Sequence, residues 1–155
     1  MNNKICFFVT LPHWVLFLAL IIPVLIGTVN PFGNLLFGLV VLAWLLLVRL
    51  ALRAKIPDNI KKSERWFAFN IIYAFIFILI KTIFWVDISS YLIPFYLAAV
   101  YSFFYVIYFV SKSLVVAEEK RLQSFDRYFG TFFLFWFSPI GIWFIQPRIR
   151  KILKE

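Results

Sequence analysis

One cysteine, one histidine and seven acidic residues are the sparse chemical stock of this 155-residue chain. A single cysteine, Cys6, excludes an intrachain disulfide and a thiol cluster for metal. His13 has no partner at the spacing of a zinc site or a nucleophile–base pair. The acids Asp58, Glu64, Asp87, Glu118, Glu119, Asp126 and Glu155 all fall in expected loops, helix ends or the C-terminal tail. No carboxylate stands within a hydrophobic run, which removes the proton relay of pumps and secondary transporters. Repeat symmetry of a transporter fold is not visible either. These absences predict a protein that is not an enzyme and uses no metal and no cofactor. Charged residues make up only 15% of the chain, against roughly a quarter in soluble domains.

What the chain has instead is 64% hydrophobic residues, gathered in blocks, and 16 Lys and Arg against 7 Asp and Glu. The length leaves room for several spans and no separate catalytic module. In a soluble chain a net charge of +9 would suggest nucleic acid; here the retention of Lys and Arg in cytoplasmic loops explains most of it. The first apolar block has no small-residue cleavage pattern after it and reads as a retained span.

The blocks predict an all-α polytopic membrane protein with four transmembrane helices and both termini inside. Span one covers residues 14–29, with Thr10 as a cap, Pro12 in the first turn and a kink at Pro23. The turn at residues 28–34 carries no Lys or Arg and is placed outside. Span two covers residues 35–52, with Arg49 and Arg53 expected to snorkel toward headgroups. Residues 54–65 hold Lys55, Lys61, Lys62 and Arg65 and form the clearest cytoplasmic loop, capped by Asp58 and Ser63. Span three covers residues 66–86 between Trp66 and Trp85, close to the ~20 residues that a ~30 Å hydrocarbon core requires. The outer turn follows at residues 87–91, and span four passes Pro94 and leaves the membrane near residues 110–112.

Residues 112–155 form a second unit beside the transmembrane domain of residues 1–111. Val115, Leu122, Phe125 and Phe129 have helical spacing, so the fourth helix is expected to run on as an amphipathic cytoplasmic stalk to a C-cap at Gly130. The aromatic run at residues 129–146 is apolar enough for a membrane and is broken at Ser138-Pro139. Cations flank it on both sides, Lys120, Arg121 and Arg127 before and Arg148, Arg150, Lys151 and Lys154 after, so both ends are expected inside. A re-entrant hairpin, a cytoplasmic aromatic plug and a fifth span all remain open. A further break at Gln146-Pro147 is expected to leave residues 148–155 as a short basic surface helix.

Two polar lines stand out. Asn70, Tyr73, Phe77 and Lys81 share one face of span three, and Tyr101, Tyr105, Tyr108 and Lys112 share one face of span four. Interhelical hydrogen bonding is one explanation. A wetted face in a ring of subunits is the other, with Asn70, Tyr73, Lys81, Tyr101, Tyr105 and Tyr108 lining a conduit. The tail cations Arg127, Arg148, Arg150, Lys151 and Lys154 suit anionic lipid, an anionic nucleotide or oligonucleotide signal, or a soluble partner protein.

The segment FSPIGIWFIQPRIRKI, residues 137–152, resembles a C-terminal pattern of small bacterial membrane proteins. The layout of four spans, little mass outside the membrane and a basic cytoplasmic tail resembles the small membrane effectors of bacterial anti-phage defence, such as the channel-forming subunits of Kiwa and Hailong type systems. That resemblance implies a homo-oligomer, a tetramer being favoured, that acts on the bacterial inner membrane when a partner or nucleotide signal changes. The expected function is therefore an ion channel or pore-forming effector gated through its tail, with a non-conducting scaffold that docks a soluble partner as the alternative.

Overall fold

A computed structural model describes residues 11–56, 64–83, 92–121 and 123–154, and among these the protein is all-α. Six helices follow in order: α1 His13–Gly27, α2 Pro31–Arg53, α3 Arg65–Ile83, α4 Ile93–Glu119, α5 Phe125–Trp136 and α6 Ser138–Lys154. Three of them, α2, α3 and α4, are long and apolar enough to cross a membrane. The expected caps Thr10, Asp58 and Ser63, Trp85 and the outer turn at residues 87–91 lie outside the described residues.

Proline and asparagine set the α1–α2 corner. The Asn30 side chain accepts a hydrogen bond from the Phe32 amide at 3.0 Å, and Pro31 opens α2 where its missing N–H costs nothing. Here the two helices nearly touch: a Cβ added at Gly33 would fall 2.1 Å from the Gly27 nitrogen, so only glycine permits this approach. The α1 helix continues through Pro23, which is buried.

Apolar residues at heptad-like spacing form the core. Val41, Leu45, Val48 and Leu52 of α2 meet Val106, Ile107, Val110 and Leu114 of α4 and Ile142, Ile145, Ile149 and Ile152 of α6. In a bilayer the gain is close packing, since lipid tails are as apolar as leucine. Small residues accordingly sit between helices: Ala74 of α3 and Ala99 and Ser102 of α4 are buried.

The fourth helix does not become a projecting stalk. It stops at Glu119, where Lys120 takes a left-handed conformation at φ 53°. Tyr128 then staples the reversal: its hydroxyl accepts from the Gln123 amide at 2.8 Å and donates to the Gln123 carbonyl at 2.5 Å. Folding back buries Tyr128, Thr131 and Phe135 and leaves Phe125 and Phe129, two residues of the expected stalk face, exposed. Leu122 lies outside the described residues. Gly130 is in the middle of α5 and is no cap. The break at Pro147 is absent too, because α6 is continuous through it. Pro147 and Trp143, whose carbonyl loses its helical donor there, are both exposed residues.

The chain reverses again at Phe137, whose carbonyl accepts from the amides of Ile140 and Gly141 at 3.0 and 2.7 Å. Gly141 allows α6 to leave this close to α5, since a Cβ there would meet the Leu134 carbonyl oxygen at 1.7 Å. The resulting α5–α6 hairpin packs against α4 and, through α6, against α1 and α2. Helices α5 and α6 are thus packed into the bundle.

Candidate functional site

The two polar lines read from the sequence have different surroundings. On α3, Asn70 is 1% exposed and its amide nitrogen donates to the Trp66 carbonyl one turn earlier, at 2.7 Å. Tyr73 reaches across to α4 and donates to the Phe95 carbonyl at 3.1 Å. Lys81 is exposed near the far end of α3, with its ammonium 5.6 Å from the centre of the Tyr96 ring. On α4, Tyr101 is 57% exposed and its ring lies 6.2 Å from that of Tyr105. Tyr105 and Tyr108 are half-buried. The exposed polar residues are therefore Tyr101 on α4 and Lys81 at the end of α3, while Asn70 is satisfied within its own helix and Tyr73 ties α3 to α4.

A charged cluster joins α2 to α3. Arg49 is 4% exposed and donates to Glu64 at 3.0 Å, while Arg53 approaches the same carboxylate oxygen at 3.1 Å. The Arg49 guanidinium also lies over Phe109 of α4, 5.1 Å from the ring centre, and Phe67 stacks on that ring at 4.9 Å. The expectation that Arg49 snorkels outward is corrected: its stem is enclosed by α2, α3 and α4, so an ion pair replaces the headgroup contact. Arg53, at 58% exposure, does face outward. An arginine one turn inside the end of a hydrophobic helix, with Glu64 just before the next helix, was the available signal for a buried partner.

The tail cations divide. Arg148 makes a two-pronged pair with Glu118 at 2.7 and 2.5 Å and donates to the Thr131 hydroxyl at 3.1 Å, so it ties α6 to α4 and α5. Such bidentate pairs are among the stronger polar contacts. Arg150 donates to the Leu11 carbonyl at 2.8 Å, and Gln146, fully buried, donates to the same oxygen at 3.1 Å. His13 packs on Trp143 with ring centres 4.3 Å apart. Arg127, Lys151 and Lys154 are exposed. The roles of Glu118, Thr131 and Leu11 were not legible, because each depends on the two chain reversals that bring α6 back to the end of α4.

Among the described residues, no three His, Cys, Asp or Glu side chains lie together in a way that suits a metal ion. The helices α2, α3 and α4 mark the class as an all-α membrane protein. No family model, no curated protein and no solved structure matches the chain.

Proposed function

We propose that this is a multi-pass protein of the bacterial inner membrane, with four spans and both termini inside, that assembles with copies of itself into an ion channel or pore-forming effector. In this reading α1 is the short fourth span. It measures only about 22 Å but runs back along α2, and its start meets the basic end of α6. The tail acts as the gate, and its exposed Arg127, Lys151 and Lys154 meet an anionic nucleotide or a soluble partner. The resemblance of the expected layout to small anti-phage effectors is what suggests such a trigger.

Tyr101 carries the proposal. It is 57% exposed and about 12 Å along α4 from Ile93, a depth where a phenol hydroxyl left in hydrocarbon costs roughly 2–7 kcal/mol. A neighbouring copy or a thread of water on that face removes the cost. Mass measurement of the detergent-purified protein, followed by single-channel recording, tests this. A closed ring with discrete conductance steps, both altered by Tyr101→Leu, is the expected result; a monomer with a silent bilayer overturns it. A second reading, a non-conducting scaffold that docks a soluble partner, is favoured by Asn70 and Tyr73, whose polar groups are engaged within the protomer. It predicts that reversing the exposed charges of Arg127, Lys151 and Lys154 to Glu abolishes recovery of the partner while the fold is kept.

A further inference from the structure

The α5–α6 hairpin is apolar on both faces, as a membrane element is and a water-facing hairpin is not. Its buried side holds Phe135, Ile142, Ile145 and Ile149, with Tyr128, Thr131 and Gln146 among them. Its exposed side carries Phe129, Phe133, Trp136, Phe137, Ile140 and Phe144, each 40–65% exposed. Exposed apolar faces of this extent mark contact surfaces.

Depth says what the contact is. Trp136, next to the tip, packs on Phe104 of α4 with ring centres 4.2 Å apart, and Phe135 packs on Trp44 of α2 at 5.3 Å. Phe104 lies about 16 Å along α4 from Ile93, and Trp44 about 20 Å along α2 from Pro31. Both lie about midway through helices that cross a core of ~30 Å. The arms, 12 and 17 residues, measure about 18 and 26 Å, and they end beside Lys120 and Glu118 at the end of α4.

We infer that α5 and α6 form a re-entrant hairpin: it enters the leaflet on the basic side, turns at Phe137 near the bilayer midplane and leaves on the same side, with its aromatic face against acyl chains. Arg127, Lys151 and Lys154 then stand at headgroup level, where cations gain from anionic lipid. Lipid is the occupant because the aromatic face lies at the depth of the exposed faces of α2, α3 and α4. Backbone at this depth is tolerated since both arms are helical and the Phe137 turn is hydrogen-bonded.

The inference rests on the membrane placement of α2–α4 and not on conduction. Its test is site-directed spin labelling of the full chain in phosphatidylcholine–phosphatidylglycerol vesicles, with Cys6→Ser as background and single cysteines at Phe137, Ile140 and, as reference, Leu97 of α4. All three sites are more than half exposed, so a label displaces no packed core. The expected result is that Phe137 and Ile140, like the shallower Leu97, are open to oxygen and closed to a polar nickel chelate, with oxygen access higher at Phe137 than at Leu97. Chelate access at Phe137 places the hairpin in water and overturns the inference; closure to both reagents means that protein, for example a second copy, covers the face, and also overturns it. An impermeant maleimide reaching Arg127→Cys and Lys154→Cys from opposite sides makes the segment a span and does the same. If Leu97 itself admits the chelate, the membrane placement fails before the hairpin is reached.

Discussion

Gly130 and Arg49 show how much a single position depends on its surroundings. A C-cap at Gly130 would make any side chain there costly, but it sits in mid-helix, without a positive φ, and a Cβ would meet nothing within 4 Å. Gly130→Ala is therefore expected to stabilise the protein by about 0.5–1 kcal/mol, read as a rise in the midpoint of thermal unfolding in detergent. At Arg49 the balance is between a buried charge and its partner. Glu64→Gln leaves the guanidinium enclosed without its carboxylate and should cost on the order of 2 kcal/mol, the lower end because Glu64 is itself 35% exposed. Arg49→Met removes charge and desolvation together and should stay within about 1 kcal/mol of the parent. The same unfolding assay ranks the two, and an equal or reversed order would show that the pair is not a buried one in solution.

Among the elements, the hydrophobic blocks that became α2, α3 and α4 were legible because hydropathy over ~20 residues needs no knowledge of neighbours. The hairpin was legible only in part. Its second arm announced itself through Ser138-Pro139, but the stalk expectation failed because Val115, Phe125 and Phe129 do have helical spacing. What ends the helix is Lys120, a residue with no turn signature, and the compensation comes from burying Tyr128, Thr131 and Phe135 on α4. Pro147 misled in the same way, since tertiary packing of Ile145 and Ile149 on either side holds α6 continuous. The joints give the prediction at this scale. Tyr128→Phe removes both hydrogen bonds to Gln123 and should cost about 1–3 kcal/mol, with faster proteolysis at residues 121–124 as the local readout.

For the whole molecule, the sidedness of Lys and Arg is the main constraint on orientation. Val29, 89% exposed in the α1–α2 turn, and Ala54, exposed just past α2, mark opposite ends of one span. On the proposed topology, single cysteines there, in a Cys6→Ser background, should react with an impermeant maleimide from outside the cell at Val29 and only after permeabilisation at Ala54. The reverse pattern would invert the orientation of every span. The polar lines on α3 and α4 were both visible in sequence, yet whether a tyrosine faces a neighbour helix or the surface depends on helix rotation, which spacing alone leaves undetermined.

The Leu11 carbonyl accepts from both Gln146 and Arg150, 135 and 139 residues further along the chain. During synthesis the start of α1 is therefore made long before the donors for its flanking carbonyl exist. Formation of α1 and completion of its packing become separate events in time, because the contacts to Leu11 come from residues of α6 far later in the chain. A chain cut before Gln146 would leave that end of α1 without both side-chain donors and its Leu11 carbonyl open to water.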